Sequence, residues 1–261
     1  MLRYAEKHNL RAAASVAICA AECAVLIAAQ VALGAVAGVE LVTVLLLTFS
    51  AYFGIVCGVT ASVCFSLLRC LIWGFSPTAI TLYLIYYPLF AMTFALLGKS
   101  NDKPTLLKCA PVNAVLLIFT IAPAVSAALN AIKISRIYAA TVTALLYSLS
   151  GISFLLLVCF NAVFILVRKG KIGAKYIKLF IMCAVACVFT ACFTLLDDII
   201  TPLFYQMGKV SATAYFYASF IAMVPQIICC AVSVSLLYFP LTFIYSKAYP
   251  RRKFIDKRGE K

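Results

Sequence analysis

This chain of 261 residues carries only eight acidic side chains, and four of them stand in or beside long apolar runs. Glu22 shares the first run with Gln30. Glu40 opens the second, and Asp197 and Asp198 sit side by side late in the seventh. Arg69 lies near the end of the third. A charged side chain near mid-membrane costs roughly 2.5–3.5 kcal/mol even on lenient insertion scales, so such residues pair with one another or line a wet cavity. Arg69 with Glu40 or an aspartate is therefore either an ion pair between helices or part of a polar pocket. Trp73, Tyr83 and Tyr87 gather at a similar depth, either as an interfacial aromatic belt or as ring-binding residues. Tyr83 and Tyr87 are four apart, share a helical face and could sandwich or edge a flat ring. The expected substrate-binding set is Glu40, Arg69, Trp73, Tyr83, Tyr87, Asp197 and Asp198, lining one cavity open to the external side.

Catalytic and metal chemistries find little support. The one histidine, His8, lies in the polar N-terminal segment, so no membrane-embedded Ser–His dyad and no H-E-x-x-H zinc helix is present. The aspartate pair reads Leu195-Leu196-Asp197-Asp198, without the glycine-flanked context of intramembrane aspartyl proteases. No G-x-x-x-x-G-K-[ST] loop occurs, so the chain does not hydrolyse ATP itself. Twelve cysteines fall mostly inside apolar runs without any C-x-x-C pair. There they act as small apolar residues rather than as metal ligands. No catalytic residue, metal or cofactor is expected.

The elements that must position these residues follow from composition. Hydrophobic residues make up 66% of the chain and charged residues 11%, too little polar surface for a soluble protein of this length. Backbone groups in hydrocarbon must be paired internally, and the apolar runs lack the alternation of barrel strands, so they are helices. Eight segments are predicted, at about 12–33, 40–56, 58–74, 78–97, 108–131, 140–167, 178–203 and 213–245. The fold class is thus an all-α integral membrane bundle, one transmembrane domain with a basic tail over 247–261. The second and third segments are short and are expected to form a tight hairpin about a Gly54–Gly58 turn. Pro123, Pro225 and Pro240 are expected to kink their helices. The apolar stretch after Arg11 is long enough to span and shows no convincing cleavage site, so it is read as the first helix.

Charge placement tests this segmentation independently. With the N-terminus inside, 18 of the 22 Lys and Arg residues fall in internal loops and tails, while only Lys133, Arg136 and Lys209 fall outside. The positive-inside rule accounts for that split, which places both termini in the cytoplasm of a cell-membrane protein with multiple passes. It also explains the net charge of +14 without a nucleic-acid partner. The Arg251-Arg252-Lys253 and Lys257-Arg258 clusters suit anionic lipid headgroups.

The first segment has a second feature. Ala14, Ala17, Ala21, Ala24 and Ala28 recur at three- and four-residue steps, making one nearly flat face that lets another helix approach closely. Ser15, Cys19, Glu22, Cys23 and Gln30 fall on or near the opposite side. The flat face packs either on the chain's own helices or on a partner.

Several stretches together resemble the substrate-binding S components of energy-coupling factor transporters. They are Glu40-Leu41-Val42-Thr43, Tyr52-Phe53-Gly54, Trp73-Gly74-Phe75-Ser76-Pro77, Tyr86-Tyr87-Pro88-Leu89, Leu97-Gly98-Lys99, Ala214-Tyr215-Phe216 and Phe239-Pro240-Leu241. The resemblance covers about half the chain. It implies capture of a vitamin or related micronutrient on the external face, with ATP hydrolysed by separate cytoplasmic ATPase subunits. It also implies that the alanine face contacts a transmembrane coupling subunit, and that Glu40 and Arg69 neighbour the substrate. The family core has six helices, so the region from about 105 to 168 reads as an inserted helical pair. A stand-alone secondary transporter, with Glu22 or Asp197 and Asp198 as coupling carboxylates, is the alternative, and an intramembrane enzyme a lesser one.

Overall fold

The computed structural model describes residues 2–33, 41–99, 106–129, 136–173 and 175–249. Among them are eight helices: α1 (Leu2–Leu33), α2 (Val42–Phe53), α3 (Ile55–Trp73), α4 (Pro77–Lys99), α5 (Leu106–Ala128), α6 (Arg136–Arg168), α7 (Lys175–Phe204) and α8 (Lys209–Ala248). Seven are long and apolar enough to cross a membrane, by length and composition. Large apolar side chains such as Val56, Leu71, Leu155 and Leu236 are exposed on the outside of the helices. A water-facing surface would not carry so many, whereas lipid tails accept them. The chain is an α-helical, multi-pass membrane protein.

The predicted segments correspond to these helices, with three differences. α1 begins ten residues earlier than expected, so the polar N-terminal stretch after Met1 is a continuation of the same helix. α2 has 12 residues, about 18 Å at the helical rise, well short of a hydrocarbon core of about 30 Å. It does not span alone, although nine of its residues are buried. The turn after it is one residue long: Gly54, at φ 90°, ends α2, and α3 starts at Ile55. Gly58 lies inside α3, where it packs on Ser50. Pro225 and Pro240 lie within an unbroken α8, and Pro111 and Pro123 within α5. Neighbouring groups in a bundle can re-satisfy the backbone that proline frees.

The chain divides into two compact units. Among the described residues, one comprises 2–33, 41–99 and 236–249, the other 106–129, 136–173 and 175–235. In the first, α1 and α3 run parallel, because Cys19 Sγ donates to Cys57 O (3.6 Å) and Cys23 Sγ to Ala61 O (3.3 Å). Here the thiols serve as small side chains that allow close approach. All eleven cysteines with described side chains are free thiols. α4 crosses α2 at Gly98, where a Cβ would fall on the Ala51 backbone. Its start reads as a Ser-Pro cap: Ser76 Oγ accepts the Ala79 N–H (3.1 Å), and Pro77 occupies the first helical position.

The second unit is built on α5, α6, α7 and the first part of α8. Val112, Leu116, Phe160, Ile177 and Ala184 form its apolar core. Asn113 and Asn161 exchange hydrogen bonds between α5 and α6 (3.0 and 3.4 Å), and Ser150 Oγ donates to Thr120 O (2.6 Å). The predicted inserted pair is therefore joined by polar contacts as well as apolar packing.

Candidate functional site

Three groups of polar side chains stand inside these apolar helices. The first lies between α3 and α4. Phe65 meets Tyr87 and Arg69 meets Tyr83, so the two helices run antiparallel. The Arg69 guanidinium carbon lies 3.8 Å from the Tyr83 ring centroid and 5.6 Å from that of Trp73. Such stacking contributes about 0.5–2 kcal/mol, more as water is excluded. Tyr83 stacks in turn on Tyr87, with centroids 5.4 Å apart and planes 10° from parallel. That is one ring-to-ring step, so no planar ligand fits between them in this packing, and of the two placements the spacing left open only the edge of the pair is free of this obstacle. Tyr87 is buried, while Trp73 is exposed and Arg69 half-buried. Arg69 Nε is buried without a hydrogen-bond partner, and among the described residues of its unit no carboxylate pairs with it. Glu40, expected beside it, lies outside the described residues. So do residues 250–261, which hold the basic clusters of the tail.

The second group lies between α7 and α8. Asp197 accepts two hydrogen bonds, from Thr201 Oγ1 (2.8 Å) and from the Tyr215 hydroxyl (2.7 Å). Asp198 is buried, and neither of its carboxylate oxygens has a hydrogen-bond partner among the described residues. A cavity of about 260 Å³ opens beside Asp197, lined also by Phe193, Thr194, Tyr215, Ser219 and Gln226. Thr194 Oγ1 donates to Gln226 Oε1 (3.4 Å).

The third group centres on Glu22 in α1. Its side chain is buried, and Oε2 accepts the Tyr245 hydroxyl of α8 (3.0 Å), while Oε1 has no partner among the described residues. Phe49 and Phe53 pack against Tyr245, with centroids 6.1 and 5.5 Å away. Tyr52 of the same cluster donates to Tyr249 O (2.7 Å).

The structure thus brings Arg69, Trp73, Tyr83 and Tyr87 together in one unit and gathers Asp197 and Asp198 in the other. On α1, Ala14, Ala17, Ala21, Ala24 and Ala28 are all exposed, whereas Ile18, Cys19, Glu22, Cys23 and Leu26 are buried. The sequence reading named Tyr215 within the Ala214-Tyr215-Phe216 stretch of the family resemblance and gave no role to Tyr245, Thr194 or Gln226. A scan for every hydrogen-bonding side chain inside apolar runs, rather than for charges alone, would have marked these and the Asn113–Asn161 pair. No protein-family model, curated protein or solved structure matches this chain.

Proposed function

We propose that the protein is the membrane-embedded substrate-binding subunit of an ATP-driven micronutrient uptake transporter, similar in role to the S components of energy-coupling factor systems. In this reading it sits in the cell membrane with both termini cytoplasmic and has no enzymatic activity of its own. It captures a small solute from the external face, and the α1 alanine face docks a separate transmembrane subunit served by cytoplasmic ATPases. The observation that carries the reading is the orientation of α1. Cys19, Glu22 and Cys23 on its polar side are buried and Ser15 and Gln30 half-buried, while five alanines at helical spacing are exposed. Alanine offers lipid little contact area, whereas a flat small-residue face lets a second helix backbone approach closely. The half-buried Arg69 guanidinium, backed by Tyr83, supports solute capture, since it presents donors suited to a carboxylate or phosphate end.

The test is affinity purification of the tagged protein from its own membranes, with and without Ala21→Trp. The wild type should retain a transmembrane partner and ATPase subunits, and the variant should lose them while remaining monodisperse and folded. A wild type that purifies without such partners, or a variant that keeps them, refutes the coupling role. A second reading, ion-coupled secondary transport by the chain alone, is favoured by one observation: Asp198 is a buried carboxylate with no partner among the described residues. It predicts uptake by the purified protein in liposomes under an ion gradient without ATP.

A further inference from the structure

We infer that the cavity between α7 and α8 is a binding site for a small organic cation, a protonated amine, held by Asp197 with Asp198 beside it. The inference rests on the solute-binding reading above, but its test needs no partner subunit, so the two can fail separately.

The case begins with the carboxylates. Asp197 is oriented by two hydroxyl donors, Thr201 and Tyr215, one on each oxygen. A carboxylate oxygen has room for a second donor beyond the one it already accepts, and Asp197 borders the cavity. Asp198 is only 9% exposed and does not itself line the cavity; it lies against the Ser219 hydroxyl, which does. Among the described side chains, no lysine or arginine lines the cavity. On α7 the lysines Lys175 and Lys178 lie in its first turn, while the aspartates lie in its last third. Asp197 thus faces a cavity whose described lining holds no cationic side chain, with Asp198 next to it in the chain and enclosed behind the wall. A cation supplied from outside would pair with Asp197 and feel the nearby charge of Asp198.

The walls narrow the class of cation. A cavity of about 260 Å³ is near the lower end of small-molecule sites and far larger than a bare metal ion needs. Among the described residues no group of three or more His, Cys, Asp or Glu side chains could hold a metal. The Phe193 and Tyr215 rings border the cavity together with the hydroxyls of Thr194 and Ser219 and the Gln226 amide. Aromatic faces attract ammonium groups, and the amide and hydroxyls suit a polar substituent. An ammonium on a short carbon frame fits this combination of charge, aromatic surface and size.

The experiment uses the full-length protein in lipid nanodiscs. The probes are radiolabelled 2-phenylethylamine and, as competitors, 2-phenylethanol, phenylacetate, sodium chloride and potassium chloride. The expected result is saturable amine binding, with the isosteric alcohol weaker by about tenfold or more and phenylacetate without effect. Asp197→Asn should weaken amine binding by about tenfold or more. Tyr215→Phe, which keeps the ring and removes one orienting hydrogen bond, should weaken it less, and serves as the test if Asp197→Asn fails to fold. No saturable amine binding below about 10 mM, equal binding of the alcohol, displacement by sodium alone, or full affinity in both variants would each overturn the assignment.

Discussion

Replacing Gly98 with alanine examines the closest helix crossing in the first unit. A Cβ at Gly98 would lie 2.5 Å from Ala51 Cα, and nearer still to the Ala51 carbonyl oxygen. Carbon atoms settle at about 3.5–4.0 Å, so α4 must withdraw from α2 by about 1 Å. The obstructing atoms are backbone, and no rotamer change can relieve the contact. Overpacking of this kind costs about 1–3 kcal/mol, whereas the change from glycine to alanine inside a helix returns about 0.5–1 kcal/mol. The net expectation is a destabilisation of about 1–2 kcal/mol. Gly151 in α6 supplies the control, because a Cβ there meets nothing within 4 Å, so Gly151→Ala should be neutral or stabilise by up to about 1 kcal/mol. In unfolding from mixed micelles by increasing sodium dodecyl sulfate, Gly98→Ala should lower the midpoint while Gly151→Ala leaves it unchanged or raises it. If Gly98→Ala is as stable as Gly151→Ala, then α4 does not cross α2 at this glycine and the packing described for the first unit is wrong.

Three further outcomes follow from the buried polar groups and the loops. Tyr245→Phe leaves both Glu22 oxygens without a protein partner and should lower stability by about 1–3 kcal/mol in the same micelle assay; an unchanged midpoint would mean that Glu22 does not rely on this bond. Asn113→Leu and Asn161→Leu should each destabilise by about 1–3 kcal/mol, while the double variant, which orphans no amide, should lose less than the sum. Additive losses would show that the two amides are not paired. For topology, Lys171→Cys should resist an impermeant maleimide in intact cells and react after permeabilisation, whereas Gln206→Cys should react in both, each measured against the parent chain; the reverse pattern inverts the proposed orientation.

The membrane class and the helix positions were legible in the sequence because hydrocarbon leaves the backbone no alternative to internal pairing. Long apolar runs therefore mark helices whatever their neighbours are. Periodicity also separated the two sides of α1, since the 3.6-residue repeat places Glu22 opposite the alanines without reference to any other helix. The second segment was expected to be short and to turn near Gly54–Gly58, but its end at Gly54 was not resolved because the Gly54–Val56 stretch carries no polar contrast. The chain reversal at Gly54 depends on a backbone angle rather than on hydropathy.

What tertiary structure alone decided is which group meets each buried charge. Tyr245 reaches Glu22 across 223 positions of chain and Tyr215 reaches Asp197 across 18, and no local pattern encodes either pairing. The rings of Tyr83 and Tyr87 share a face, as their spacing required, but only packing shows that they stack on each other and that Arg69 covers the outer one. Hydropathy and periodicity are properties of one segment in its solvent, and the sequence carries them openly. A hydrogen bond or a ring stack needs two segments at a set distance, and that distance exists only once the helices have packed.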